Sequence, residues 1–518
     1  MARNAVYRKM SGRATLPAAR LGPPRGIIAA MTEPSFRVST SPVGDLRADL
    51  LVVPVPSGSK KGASLPPGSP RDLVSPQAMA RHGFTGASGQ SLMLPGPDRT
   101  VLLVGLGPAD AAGAGGAIRD AAMCAGLSAR PFETVATILP AQGTDAAAAF
   151  AEGFLLGSYR FDGQKKQPEP NRTRTVTVRT EAADKSAIRK GLDRGTAIGS
   201  AMNWARDLTN MSPSTATPAY LADQARAMAK RFGLTSKVWN RAALERGGFG
   251  GILAVGSGSV HDPSMVELTY SGGRSGAKPI AVTGKGITFD SGGLNIKERE
   301  EMAWMRSDMA GAAAALATLR AVAALGVKAN VVAAIPFAEN IPGPASYRPG
   351  DVVTHRGGVT SEVLDTDAEG RVLLADALAY LCERKPAAIL DSATLTDAAG
   401  MGAELWAGMG NDRAAVAEVL AAGTEAGDPG WEIPLWTPYR SLIESTVAEV
   451  KNIGSHDLDS SMLAGLFLET FVNPRVPWVH VDSGSTAWAE YDRDSWPEGA
   501  TSSPARAFVR FIETRAGR

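Results

Sequence analysis

The chain has 518 residues, of which 44% are apolar and 20% charged, and a formal net charge of +2. That length exceeds one ordinary core and implies two domains. The composition is that of a globular protein, and the near-neutral charge argues against a nucleic-acid-binding surface covering the whole molecule. Only two cysteines occur, Cys124 and Cys382, far apart and outside any CxxC spacing, which argues against a disulfide framework or a thiolate zinc site and fits a reducing compartment.

The first thirty residues carry Arg3, Arg8, Lys9, Arg13, Arg20 and Arg25, and no acid precedes Glu33. Without a sustained apolar stretch they do not form a secretory signal. Residues 1–33 read as a disordered basic extension: either an organelle transit peptide or a stretch ahead of a true start at Met31. Next come Leu50 to Val55 (LLVVPV) and Val101 to Gly105 (VLLVG), short apolar runs suited to buried strands. The VGLG turn leads into an alanine-rich helix near Ala117 to Ala129, and Val176 to Val178 reads as another strand. These elements make a small α/β domain, 34–185.

A proline-free helical pattern from Ser186 to Leu208, ended by NMSPSTATP (Asn210 to Pro218), connects it to the remainder, 186–518. There, strands at Ile280 to Val282, Val331 to Ile335 and Ala388 to Leu390 alternate with helices at Asp308 to Leu325 and Arg371 to Glu383. That order implies a mainly parallel sheet covered by helices. The longest apolar run, Ala310 to Val327, is broken by Arg320 and dominated by alanine, so a packed helix explains it better than a membrane span of roughly 20 residues.

Two segments stand out chemically. In GKGITFDSGGLNIK (Gly284 to Lys297), Lys285 ends an apolar strand and Asp290 follows five residues on. The Gly292–Gly293 pair allows a tight turn that swings Lys297 back toward Asp290. In DTDAEGR (Asp365 to Arg371), Asp367 and Glu369 flank one alanine and project to the same side of an irregular or extended turn. An Asp-x-Glu pair alone is also what a solvated loop produces. Here both segments follow apolar strands, and ligands bind at the carboxyl ends of strands in parallel α/β sheets, so the carboxylates are expected to converge in a crevice.

With MRSDMAGAA around Asp308, these segments resemble the leucyl aminopeptidase family of metallopeptidases, the cytosol aminopeptidase type. Its signatures run approximately GKGxTFDSGGxxIK, MxxDMGGAA and NTDAEGRLxLADAL; this chain reads GKGITFDSGGLNIK, MRSDMAGAA and DTDAEGRVLLADAL. Weaker echoes are SYRFD (Ser158 to Asp162), ENIPGPASYRPGD (Glu339 to Asp351), SATLT (Ser392 to Thr396) and LAGLFLETFV (Leu463 to Val472), so the resemblance covers nearly everything after about residue 34. It implies a macro-like N-terminal α/β domain and a larger C-terminal catalytic domain. It also implies that Lys285, Asp290, Asp308, Asp367 and Glu369 hold two divalent metals, Mn²⁺ or Zn²⁺, and that Lys297 and Arg371 form the catalytic pair. The activity implied is removal of N-terminal residues from peptides in the cytoplasm by a homohexamer, with bicarbonate at Arg371 as proton shuttle. Charge counting agrees: four carboxylates and two dications balance, whereas four buried carboxylates alone would repel one another.

Several positions depart from the family pattern. Asp365 replaces the usual Asn before TDAEGR, Ala310 replaces the first Gly of DMGGAA, and Asp397 follows SATLT where Gly is usual. None removes an implied ligand, but all bear on substrate preference. Of the five histidines, His82, His261, His355, His456 and His480, none forms HExxH, and His480 on an apparent strand reads as a core residue. The rival reading is a non-catalytic DNA-binding or regulatory protein on the same fold, against which stand the near-neutral charge and the intact ligand set. Gly284-Lys285-Gly286 lacks the Ser or Thr that a P-loop requires.

Overall fold

The computed structural model describes residues 33–58, 76–111, 113–167, 169, 171–454, 460–490 and 496–517. The basic extension lies outside these residues apart from Glu33, and His456 also lies outside them.

A six-stranded sheet takes the strand order β1-β6-β5-β2-β4-β3. Its strands are β1 (Ser35–Ser39), β2 (Leu50–Ser57), β3 (Ser91–Leu94), β4 (Thr100–Pro108), β5 (Thr134–Ile138) and β6 (Thr175–Arg179). All pairings are parallel except β3 with β4. The unbroken apolar run of β2 has a simple cause. Leu50 and Val52 face a core shared with α2 (Gly115–Ala129) and α3 (Thr144–Ser158), while Leu51, Val53 and Val55 face Met79 of the short α1 (Pro76–Arg81) and Phe84. A strand covered on both sides has no polar face to alternate with.

The long helix α4 (Lys185–Asn210) covers the helix expected from Ser186 to Leu208 and packs against α3. Near its end Arg206, fully buried, lies 3.9 Å from the Tyr159 ring centroid, and its guanidinium donates to Leu156 O at 2.9 Å and Ala500 O at 2.7 Å. It therefore ties α3 and α4 to a segment almost three hundred residues later. Beside it, Tyr159 Oη donates to Asp207 Oδ1 at 2.9 Å, and burial pushes the Asp207 carboxyl up to about 6. An acid whose folded pKa is raised loses stability as pH climbs from its unfolded value near 4 to about 6, and the full penalty persists above that. Asp207→Asn, which keeps an acceptor for Tyr159, is expected to raise stability at pH 8 by on the order of 2 kcal/mol and to change nothing at pH 4. Urea denaturation at the two pH values tests this, and equal gains at both would refute the assignment.

After α5 (Pro218–Phe232), β7 (Thr235–Trp239), α6 (Arg241–Gly247) and α7 (Gly250–Val255), the chain builds a nine-stranded sheet of order β16-β15-β18-β14-β9-β11-β8-β7, with β10 also paired to β11. Its strands include β8 (Ser264–Ser271), β9 (Ile280–Gly284), β10 (Ile287–Asp290), β11 (Asn330–Asn340), β14 (Ala388–Ala393), β15 (Trp406–Gly410), β16 (Gly430–Glu432) and β18 (Trp478–Asp482). The central neighbours β18, β14, β9 and β11 run parallel, and antiparallel pairings lie toward the edges. A three-stranded sheet of β12 (Val352–Thr354), β13 (Thr360–Glu362) and β17 (Val450–Lys451) is inserted between its strands in sequence.

The helices are α8 (Arg299–Met302), α9 (Ala310–Ala324), α10 (Glu369–Cys382), α11 (Arg413–Ala426), α12 (Ser460–Glu469) and α13 (Ala505–Ala516). The helix expected from Asp308 begins two residues later; Asp308 sits on a 3₁₀ turn, Met305–Met309. Val372, Leu373, Leu374, Leu378 and Leu381 of α10 are fully buried in the larger core. Each such leucine contributes about 1.5–3 kcal/mol, so the start of α10 is firmly placed. Among the described residues no helix is long and apolar enough to cross a membrane.

Candidate active site

The functional segments meet where the central parallel strands end; the first leaves β9 and β10 as expected, but DTDAEGR follows β13, a short polar strand of the three-stranded sheet, and not the apolar strand expected of it. Lys285 directly follows β9, Asp290 is the last residue of β10, and Glu369 opens α10, where the positive end of the helix dipole suits a carboxylate. Register brings Asp290 opposite Asn340 at the end of β11. Gly292 and Gly293 adopt φ of +84° and +67°, a left-handed turn closed to most side chains. It returns the chain so that Lys297 N donates to Ser291 O at 2.9 Å. Gly370 allows the other close approach, since a Cβ there would meet Lys285 Cε at 2.5 Å.

Carboxylate oxygens of Asp290, Asp367 and Glu369 lie within 4.8 Å of one another. Lys285 Nζ sits 2.7 Å from Asp308 Oδ1 and 2.8 Å from Glu369 Oε1, so Asp308 joins the group through Lys285. Lys297 Nζ lies 3.1 Å from Asp290 Oδ2 and 2.7 Å from Asp367 Oδ1. Arg371 stands two residues beyond Glu369; its Nη1 donates to Asn452 O at 2.9 Å, while its Nε has no hydrogen-bond partner. Six of the seven residues singled out in the sequence thus come together through ion pairs and close carboxylates, and Arg371 is near enough for the Glu369 charge to act on it.

The cluster is nearly dry. Lys285, Asp290, Asp308, Glu369 and Arg371 are buried, and Asp367 and Lys297 are partly so. Burial, then repulsion from Asp290, pushes the Asp367 carboxyl up to about 7. Burial likewise raises Asp308 and Glu369. Burial works against the Lys285 ammonium, but Asp308, Glu369 and Asp290 outweigh it and hold the proton on above the ordinary lysine range. Lys297 behaves the same way, with Asp290 the leading partner. At Arg371 burial prevails and lowers the guanidinium to about 10.

Despite these cations, Asp308 Oδ2, Asp367 Oδ1 and both oxygens of Glu369 are buried with no hydrogen bond. For Asp367 Oδ1 and Glu369 Oε1 a lysine lies in ion-pair range but out of hydrogen-bond alignment. A buried carboxylate oxygen without a donor costs several kcal/mol unless a cation faces it. Lysines already face two of these four oxygens; the group, together with the Lys285 amine, is a donor set that suits a borderline divalent cation such as Mn²⁺ or Zn²⁺.

Other residues hold this set in place and carry no motif of their own. Asn340 donates to Asp290 Oδ1 at 2.7 Å and to Thr366 O at 2.9 Å. Thr366 Oγ1 donates to Gly292 O at 2.7 Å, which locks the glycine turn to the Asp367 segment. Thr394 offers its carbonyl to Lys285 Nζ at 2.9 Å and donates its hydroxyl to Asp308 Oδ1 at 2.7 Å. Asn340 and Thr394 lie in ENIPGPASYRPGD and SATLT, the only sequence signal that pointed to them; Asn452 had none.

Of the departures, Asp365 points into its own turn and accepts from Asp367 N at 2.8 Å. Ala310 is buried at the head of α9, and Asp397 is exposed. Among the described histidines none joins the cluster. His82 and His261 are exposed, and His355 contacts Ser361. His480 is a core residue as expected, 2.5 Å from Asp391, although its Nε2 has no partner.

A parallel α/β sheet with buried acids, a lysine and donor-starved oxygens at its carboxyl edge defines a metal-dependent hydrolase. More narrowly, the chain belongs to the cytosol aminopeptidase family: residues 203–509 match the family's catalytic domain and residues 74–168 its N-terminal domain. It is 41% identical over 430 residues to a probable cytosol aminopeptidase of Roseiflexus castenholzii, covering 80% of this chain and 87% of that one. The bottromycin maturation enzyme BotP, solved in complex with Mn, shares 34% identity at a TM-score of 0.80, over 91% of this chain and 100% of that one. A tomato leucine aminopeptidase variant superposes at 0.85 with 25% identity, over 94% and 97%. The chain is therefore an aminopeptidase, a peptide hydrolase with two α/β domains, and not a non-catalytic binder on the same fold.

Proposed function

We propose that Lys285, Asp290, Asp308, Asp367 and Glu369 hold two divalent cations, Mn²⁺ or Zn²⁺, beside which Lys297 and Arg371 act on the N-terminal peptide bond. The observation that carries this is the set of buried carboxylate oxygens left without donors. Cations there would supply Lewis acidity, bringing hydroxide within reach near neutral pH. Lys285 serves as a ligand only as the neutral amine, so its proton leaves on metal uptake. Lys297, its ammonium held firmly charged by Asp290 and Asp367, donates to the oxyanion that develops on the scissile carbonyl. The buried Nε of Arg371 has no hydrogen-bond partner and can donate to a small anion, a role that bicarbonate would fit as a proton carrier.

The chain divides in this reading at the head of α4, into an N-terminal domain of 34–185 and a catalytic part of 186–518; the strands of the two large sheets fall on either side of that boundary. A cytoplasmic homohexamer acting on peptides with a free N-terminus accords with the family, and a reducing compartment accords with a chain of only two cysteines, far apart in sequence. Chelated protein is expected to hydrolyse leucyl-p-nitroanilide at a small fraction of its full rate and to recover on adding Mn²⁺, with at least one transition metal bound per chain. Metal analysis after loading that finds less than one would sink the metal assignment.

A further inference from the structure

Asp482, the last residue of β18, is fully buried; its hydrogen bonds go to none of the seven cluster residues, although its charge acts on Arg371. Its Oδ1 accepts three backbone N–H groups: Leu395 at 3.2 Å, Thr396 at 3.3 Å and Gly484 at 3.2 Å. Its Oδ2 accepts the Thr396 hydroxyl. With that hydroxyl donated, Ser461 Oγ, 2.5 Å away, is left to donate to Thr396 Oγ1. One carboxylate thus gathers the strand end after β14, which follows from the parallel register that sets Asp482 beside Ala393. The gathered segment begins at Thr394, whose carbonyl meets Lys285 Nζ and whose hydroxyl meets Asp308.

A buried carboxylate saturated by three amides and a hydroxyl is a rigid fixture, since moving any donor away strands it in the interior. We infer that Asp482 is a positioning residue that, through the 394–396 segment, sets Thr394 and hence Lys285 and Asp308 for metal binding. This rests on the metal-dependent reading above.

The test uses the full-length protein and Mn²⁺ alone, with affinity measured by competition with a fluorescent chelator. Thermal unfolding of metal-free samples and steady-state hydrolysis run alongside. Asp482→Asn keeps the Oδ1 acceptor but presents an NH₂ to the Thr396 hydroxyl; Thr396→Val removes only that hydroxyl. Both are expected to weaken Mn²⁺ binding by about tenfold or more and to lower kcat with little change in KM. Thr396→Ser, which restores the hydroxyl, is expected to return affinity to the wild-type value. Metal-free unfolding that shifts while Mn²⁺ affinity stays at the wild-type value marks a purely structural role and overturns the inference. Should Asp482→Asn not fold, the valine and serine pair decides alone: equal affinity in both overturns it. A wild type that neither binds Mn²⁺ nor hydrolyses substrate brings down the underlying reading instead.

Discussion

Asp367→Ala is expected to fold, to lose metal and to lose at least about a thousandfold in kcat/KM, on the order of 4 kcal/mol of transition-state stabilisation. Folding survives because the Asp367 side chain is 29% exposed and sits in a turn rather than in the core. In the metal-free protein, four carboxylates crowd two lysines, and Asp367 is already forced up to about 7 by burial and by Asp290. Removing it relieves repulsion, so the metal-free variant should unfold no earlier than the metal-free wild type. The difference appears on adding Mn²⁺. At free metal a hundredfold above the dissociation constant the wild type gains about 2.7 kcal/mol per bound ion, and the variant gains none at the site it has lost. A variant that keeps full metal content and the same Mn²⁺-induced stabilisation would remove Asp367 from the ligand set.

Lys297→Ala separates chemistry from binding. Its ammonium lies between Asp290 and Asp367, and its side chain is 12% exposed. A donor of this kind acts most strongly where charge develops on the substrate, so its loss should lower kcat by roughly 10² to 10³. Metal content should be unchanged or higher, because a positive charge competing for the same two carboxylates has gone. Metal analysis and kinetics on one preparation decide the matter. A parallel fall in metal content and activity would make Lys297 a structural counter-ion instead of a participant.

The two experiments probe different physical links. At Asp367 burial and the Asp290 charge outweigh the Lys297 ammonium, so a further cation is favoured there. Lys297 is held by attraction to Asp290 and Asp367 that needs no metal. Their opposite effects on metal content follow from charge alone and do not depend on which transition metal is native.

Much of the fold was legible because its strands are covered on both faces. LLVVPV and VLLVG read as buried strands since side chains on both sides of β2 and β4 need apolar neighbours. The same burial hid α3, whose residues are almost all enclosed, so no polar stripe of helical period shows in TDAAAAFAEGFLLGS. The alanine-rich run after Asp308 was read as one helix. The 3₁₀ turn that sets Asp308 apart depends on contacts with Lys285 and Thr394, from segments 20 or more residues away.

The sequence by itself pointed to the residues: spacing and the glycine turn singled out Lys285, Asp290, Lys297, Asp367 and Glu369, while Asp308 and the role of Arg371 entered only through the family resemblance. A glycine pair constrains where the next side chain goes, so the local part of the pattern was legible. Only the tertiary structure decided which neighbours make that chemistry usable. Asn340, Thr394 and Asp482 are ordinary polar residues until β11, β14 and β18 end at one edge of the large sheet, and Asn452 until β17 of the three-stranded sheet brings its carbonyl to Arg371. Strand order and register are properties of long-range packing, so spacing along the chain does not show which of these residues will meet.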